Sequence, residues 1–273
     1  MRWTRLILPP VALAATMVAP GTAIAAVAKV AVVNHQLVYL GVGTGVNDLR
    51  IARHTGAFAV RDLATQLVAG TGCTNVSAHK ATCPAAGIRS LSADLGRSSD
   101  RAVVGNRLRL AAIVIRGGLG ADTLTSVASR VIFYGGPGRD RLIGGPRADL
   151  LFGKRGADFI RGRGGADRIL GGPDDDLIVS GPGADRSFGG AGDDRVYGGL
   201  GDDVLRGGPG DDTMADFSGW DHLYGGTGED YLNTFELVPD GRPGDFLNAS
   251  TGPDYGCRAS PDDVLVGCDE NAK

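Results

Sequence analysis

Aspartate recurs in this chain at intervals of nine. Set out in rows from Gly117, the sequence reads GGLGADTLT, SVASRVIFY, GGPGRDRLI, GGPRADLLF, GKRGADFIR, GRGGADRIL, GGPDDDLIV, SGPGADRSF, GGAGDDRVY, GGLGDDVLR, GGPGDDTMA, DFSGWDHLY and GGTGEDYLN, with no insertion or deletion as far as Asn233. Twelve of these thirteen rows carry Asp at the sixth position, and twelve carry an apolar residue at the eighth, Ser187 being the exception. Carboxylates at fixed spacing among glycine carbonyls are hard oxygen donors, the donor set of a hard divalent cation. Other chemistry finds little support. His35, His54, His79 and His222 stand apart, with no HExxH pair for zinc proteolysis and no GxSxG elbow for acyl transfer. Gly41-Val42-Gly43-Thr44-Gly45 lacks the lysine of a phosphate loop and the glycine spacing of a dinucleotide site, so it reads as a turn between strands.

The rows match G-G-x-G-x-D-x-U-x, so the chain resembles the RTX, or haemolysin-type, calcium-binding nonapeptide-repeat family over 117 of its 273 residues. The resemblance implies an all-β fold, a right-handed parallel β-roll (a β-solenoid), in which two rows make one coil. In each row the first six residues would form a turn, where glycine permits positive φ and close approach of backbones. The last three would form a short strand whose middle side chain points inward. That inward set is Leu124, Phe133, Leu142, Leu151, Ile160, Ile169, Ile178, Val196, Leu205, Met214, Leu223 and Leu232. Strand spacing of about 4.8 Å then gives a rod of roughly 30 Å.

In proteins of this kind the ion lies between successive turns, held by sixth-position carboxylates and glycine-rich carbonyls. Stacked aspartates repel without a counter-charge, and Ca2+ accepts six to eight oxygens in a flexible geometry, whereas Mg2+ demands a strict octahedron. The expected ligands of several Ca2+ ions are Asp122, Asp140, Asp158, Asp176, Asp185, Asp194, Asp203, Asp212 and Asp230. Alternate rows share a side, and the side with Asp122, Asp140, Asp158, Asp176, Asp194, Asp212 and Asp230 keeps the motif nearly throughout, Lys154 excepted. On the other side Arg147 and Arg163 replace loop glycines, Ser126–Val131 lacks the motif and Phe217 disrupts a turn. The first side is therefore expected to load preferentially, with arginines neutralising Asp149 and Asp167 on the second; solvated arginines over degenerate turns are the alternative. Asp175, Asp193, Asp202, Asp211 and Glu229, at the fifth position, read as a negative coat, or else as groups supporting the ligands from outside.

The rest of the chain frames the repeat. Arg2 and Arg5, the apolar stretch Leu6–Val18 and the small residues Ala23-Ile24-Ala25 have the pattern of a Sec-type leader over residues 1–25. The remainder divides into a β-rich N-terminal cap (26–116), the roll (117–233) and a short C-terminal cap (234–273). Strands are expected at Val30–Val33, Gln36–Leu40, Phe58–Arg61 and Leu108–Ile115, and Ser90–Arg101 reads as a degraded coil. In the tail, Phe246-Leu247 and Val264-Leu265-Val266 read as strands. Four cysteines allow three pairings; close spacing favours Cys73–Cys83 and Cys257–Cys268, and the lack of CxxC spacing argues against zinc. A net charge of −3 excludes a strongly basic nucleic-acid binder, and no later segment is apolar enough for a spanning helix. Together these features predict a secreted, non-enzymatic calcium-binding protein with a structural or adhesive role and a cell-surface or polysaccharide partner. The alternative is a β-helical polysaccharide-active enzyme, lyase- or epimerase-like. A pore-forming role lacks the acylated hydrophobic domain of the family's toxins.

Overall fold

The computed structural model describes residues 27–41, 45–127, 130–234, 245–251, 257 and 263–268. The leader (1–25), the middle of the Gly41–Gly45 turn and much of the C-terminal cap lie outside these residues. Every regular element described is a β-strand.

Period-two alternation decides which way each strand faces. Within a row's strand the seventh and ninth side chains point outward and the eighth inward, and all twelve apolar eighth-position residues are fully buried. The strands pair in parallel with partners eighteen residues away. On one sheet Leu124 aligns with Leu142, Leu142 with Ile160, Ile160 with Ile178, Ile178 with Val196, Val196 with Met214 and Met214 with Leu232. On the other, Phe133 aligns with Leu151, Leu151 with Ile169, Ile169 with Ser187, Ser187 with Leu205 and Leu205 with Leu223. Successive strands alternate between the two sheets, so two rows make one coil and like residues stack on like residues. Each buried Leu or Ile contributes about 1.5–3 kcal/mol through removal from water. A slip of one residue would turn the whole ladder outward, which fixes the register. The molecule is thus a parallel β-solenoid of the β-roll kind.

Ser187 breaks the apolar ladder without leaving a polar group stranded. Its hydroxyl lies 2.6 Å from that of Ser180, also buried, so the pair satisfies itself inside the roll.

Coiling begins before the regular rows. Ala112–Gly118 pairs in parallel with Ser90–Gly96, which in turn pairs with Gln36–Leu40. On the second sheet Thr123–Ser126 follows Arg101–Val104 and then Asp48–His54. The expected degraded coil at Ser90–Arg101 is therefore a true coil. Antiparallel pairing then closes the N-terminal edge: Val27–Val33 lies against Gln36–Leu40, while Ala57–Asp62 lies between Asp48–His54 and Lys80–Pro84. An open solenoid end is a template for further strands, and these hairpins cover the first coil, leaving only the four-residue strands Gln66–Ala69, parallel to Val27–Val33, and Thr74–Ser77 outermost. One expected strand starts later than its composition implied. Arg107, at φ 65°, holds a turn before it, so the strand runs from Ala112 to Gly118 instead of from Leu108.

At the other end Phe246–Thr251 continues the first of these sheets from His222–Thr227, and Val264–Val266 adds a last strand. The cysteines pair as Cys73–Cys83 and Cys257–Cys268. Among the described residues no helix is long and apolar enough to cross a membrane.

Candidate metal centre

Each sixth-position aspartate lies where a turn passes into a strand, almost wholly buried. One carboxylate oxygen staples its coil to the one before. The Asp122 amide donates to Asp140 Oδ1 at 2.7 Å, the Asp140 amide to Asp158 at 2.7 Å, and the series runs through Asp176, Asp194 and Asp212 to Asp230. A second series on the opposite side runs from the Val131 amide through Asp149, Asp167, Asp185, Asp203, Asp221 and Asp245 to Asp263. The first series also reaches into the N-terminal coils, where the Asp100 amide donates to Asp122 and the Asn47 amide donates to Asp100. There Asn47 takes the place of a sixth aspartate, and its side-chain amide donates to Leu95 O and to Asp100, so the terminal slot is closed by a neutral group.

The second oxygen, Oδ2, points the other way. In Asp100, Asp122, Asp140, Asp158, Asp167, Asp176, Asp185, Asp194, Asp203 and Asp212 it is buried and accepts no hydrogen bond. In the turns it faces the first glycine of its own row. A methyl group on Gly117, Gly135 or Gly171 would overlap the Oδ2 of Asp122, Asp140 or Asp176, and would also lie 2.6–2.8 Å from the carbonyl oxygen of the first glycine one coil onward. At these glycines carboxylate and carbonyl oxygens of successive coils therefore converge on the point that a Cβ would fill. At the second position Gly190, at φ 139°, passes so close to Gly172 O that a side chain there would collide with it.

Burial makes these oxygens reluctant anions. Desolvation, with nearby carboxylates adding to it, pushes Asp140, Asp167, Asp176 and Asp221 up to about 8 from the usual carboxylate range. Asp122, Asp185 and Asp212 rise to about 7, chiefly through burial. An orphaned buried oxygen is expensive unless something positive meets it. The donor set, carboxylate and carbonyl oxygens only, is the one a hard, flexible divalent cation takes, and it fits Ca2+. Bound there, Ca2+ would supply the counter-charge that lets the aspartates ionise inside the stack.

The nine expected ligands fall into two files. Asp122, Asp140, Asp158, Asp176, Asp194, Asp212 and Asp230 lie along one edge, and Asp185 and Asp203 along the other. The division between the sides differs from expectation, however. Asp167, expected to be neutralised by arginine, presents the same buried, unpaired Oδ2 as Asp185 and Asp203. Arg163 does not reach it; at φ 78° its guanidinium donates instead to Ser126 O at 2.9 Å and Gly144 O at 3.3 Å. Asp149 is the member that drops out, because the Gly145 amide donates to its Oδ2 at 2.6 Å. The break is therefore confined to the coils around residues 126–149, where Val131 replaces aspartate and a guanidinium sits among the first-position carbonyls. Lys154 leaves its turn intact: its Nζ lies 5.4 Å and 5.7 Å from the ring centres of Phe152 and Tyr134 on the outer face.

Two acids, Asp100 and Asp216, escape a nine-residue reading of the sequence, and Asp221 belongs to the sixth-position series without having been named as a ligand. Asp100 was legible as the end of Leu95-Gly96-Arg97-Ser98-Ser99-Asp100, but a spacing of 22 to Asp122 hides it from a nine-residue frame. Asp216 is obscured by the degenerate row DFSGWD. The fifth-position acids are more than a coat: Asp175, Asp193 and Asp211 each accept the amide of the fifth residue one coil later at 2.8–2.9 Å, and Asp202 that of Trp220 at 3.2 Å.

A model of the RTX calcium-binding nonapeptide repeat matches the chain in four copies, at residues 116–146, 143–178, 179–214 and 216–234. No curated protein matches the chain significantly. RTX nonapeptide repeats bind Ca2+, and the buried aspartate files and glycine-shaped oxygen slots run through the matched residues. The stretch 116–234 is accordingly an array of RTX calcium-binding repeats, and the chain carries the RTX β-roll.

Proposed function

We propose that the chain is an exported calcium-binding protein whose roll is completed by Ca2+ outside the cell, where it serves a structural or adhesive role. The observation that carries this reading is the repeated Oδ2, buried without a hydrogen-bond partner and facing the first-glycine carbonyl of the next coil. The ligands are the nine aspartates named from the sequence, together with Asp100 and Asp167. Two disulfides fit an oxidising compartment, and residues 1–25 have a leader's composition. Extracellular calcium sites bind at about 10⁻⁴–10⁻³ M, so such a roll would remain incomplete in the cytoplasm and form after export.

An adhesive role is supported by one outer face. Tyr134 and Phe152 stack at 4.8 Å, Arg206 lies 4.8 Å from the Tyr224 ring, and Arg168 and Arg206 flank Phe188 at 5.7 Å each. Flat rings beside guanidinium groups suit a polysaccharide carrying acidic groups. The buried, amide-bonded position of the sixth aspartates favours a structural role over catalysis on such a polymer, which would need carboxylates within reach of the sugar.

The test is a calcium titration of chelator-treated protein, following far-UV circular dichroism while calorimetry counts bound ions. A cooperative gain of β signal with several ions bound is expected. A protein fully folded in chelator that binds no calcium would overturn the reading.

A further inference from the structure

We propose that Asp203, Asp216 and Asp221 form a three-carboxylate calcium site, tighter than the repeating sites of the roll; the choice of ion rests on the calcium reading above, while the site itself rests on its own geometry. Asp216 stands at the first position of its row, where the other rows have Gly or Ser. Its backbone is not left-handed, so a side chain is tolerated there. That side chain is fully buried and turns into the roll. Oδ1 accepts the amides of Gly199 at 2.9 Å and Phe217 at 2.8 Å, which fixes the carboxylate plane. Oδ2 accepts no hydrogen bond and overlaps the point above Gly198 where a methyl group would sit. Asp203 Oδ2, likewise buried and with no partner except the Asp216 carboxyl itself, lies 2.7 Å from that same point.

One oxygen from each of Asp203, Asp216 and Asp221 comes within 4.8 Å of the others, and the three residues are at most 1 % exposed. Two of the three thus aim desolvated oxygens at one spot, where they meet only each other. A regular slot draws on the sixth-position carboxylates of adjacent coils; here a third carboxylate joins them on the same coil as Asp221. Calcium affinity rises with the number of charged ligands and the rigidity of the site, so this centre loads first and holds its ion longest. Its place near the C-terminal end makes it the anchor from which neighbouring coils are organised as the remaining slots fill.

Trp220 adjoins Asp221, which gives a local probe. Terbium, a hard cation of calcium's size, emits when a nearby indole is excited. The experiment compares wild type, Asp216→Asn and Asp216→Gly, the last restoring the residue usual at that position. Each is followed by calcium calorimetry and by indole-sensitised terbium emission with calcium competition, and far-UV circular dichroism in calcium confirms folding. In wild type one ion is expected to bind more tightly than the rest and to displace the terbium signal first. Both variants should weaken that ion at least about tenfold and lose most of the emission, while the weaker class keeps its stoichiometry. Asp194→Asn should show the converse, with fewer weak ions and unchanged emission. Wild type binding several ions, with the tight ion and the emission surviving in both Asp216 variants, would overturn the three-carboxylate site and leave the roll untouched. Wild type binding no calcium would overturn both.

Discussion

Removing calcium should make the stability of this roll fall as pH rises. Asp140, Asp167, Asp176 and Asp221 move from 3.8 to about 8 on folding, because burial disfavours the carboxylate. A group whose folded pKa is raised contributes its full stability below the unfolded value and loses it as pH climbs toward the folded value. The window therefore opens near pH 4 and closes near pH 8. At pH 7 the loss is about 4 kcal/mol for each such group, at about 1.36 kcal/mol per pH unit. Even discounted to a quarter, four groups give about 4 kcal/mol, a large share of the roughly 5–15 kcal/mol that holds a typical domain together. The assay is a set of denaturation curves between pH 4 and pH 8, in chelator and in millimolar calcium, followed by far-UV circular dichroism. In chelator the midpoint should fall steeply across that range, with loss of β signal near neutrality. With calcium present the slope should flatten or reverse, since the metal competes with protons for the same oxygens. A chelated protein equally stable at pH 4 and pH 8 would refute the reasoning, because its buried carboxylates would then have a compensating charge within the chain.

The two arginine-side aspartates should behave differently: Asp167→Asn lowers calcium stoichiometry, whereas Asp149→Asn, whose Oδ2 already accepts the Gly145 amide, leaves it unchanged by calorimetry. Ser187→Ala should cost about 1–3 kcal/mol in thermal or denaturant unfolding by leaving the Ser180 hydroxyl buried alone, while Ser180→Ala with Ser187→Val should be close to neutral. Gly190→Ala, at φ 139° and in collision with Gly172 O, should prevent stacking of its coil and abolish the cooperative calcium response. Gly56→Ala, at φ 77° in a hairpin with nothing within 4 Å, should cost only about 1–2 kcal/mol and keep that response.

The repeat was legible from residue types and spacing, and its resemblance to the RTX family implied the two-row coil and the inward eighth position. A nine-residue period with one inward apolar position dictates which side chains are enclosed, because strand side chains alternate and any slip exposes the whole ladder. Leu124 through Leu232 are therefore interior by position, whereas close spacing only favoured the two local cysteine loops among three possible pairings, and the fold settles them. The reach of the solenoid beyond the rows was only partly visible. The coil at Ser90–Gly96 and Arg101–Val104 returns after 22 residues in place of 18, and the antiparallel hairpins that close its edge depend on contacts between segments with no repeat to mark them.

What the tertiary structure alone decided is the fate of individual carboxylate oxygens. Sequence shows an aspartate at each sixth position but not which of its oxygens will find a donor, since that depends on where the turn's backbone amides point. At Gly145 the amide swings toward Asp149 and removes it from the file, while Asp167, one coil later, keeps its Oδ2 unpaired. Arg163, expected to meet a carboxylate, is carried by its left-handed backbone to two carbonyls instead. Asp216, which in the sequence only spoils a row, folds into the slot above Gly198 beside Asp203 because no Cβ fills that point. Spacing set the lattice of aspartates; local backbone direction and the space left by glycine determined which of them can hold an ion.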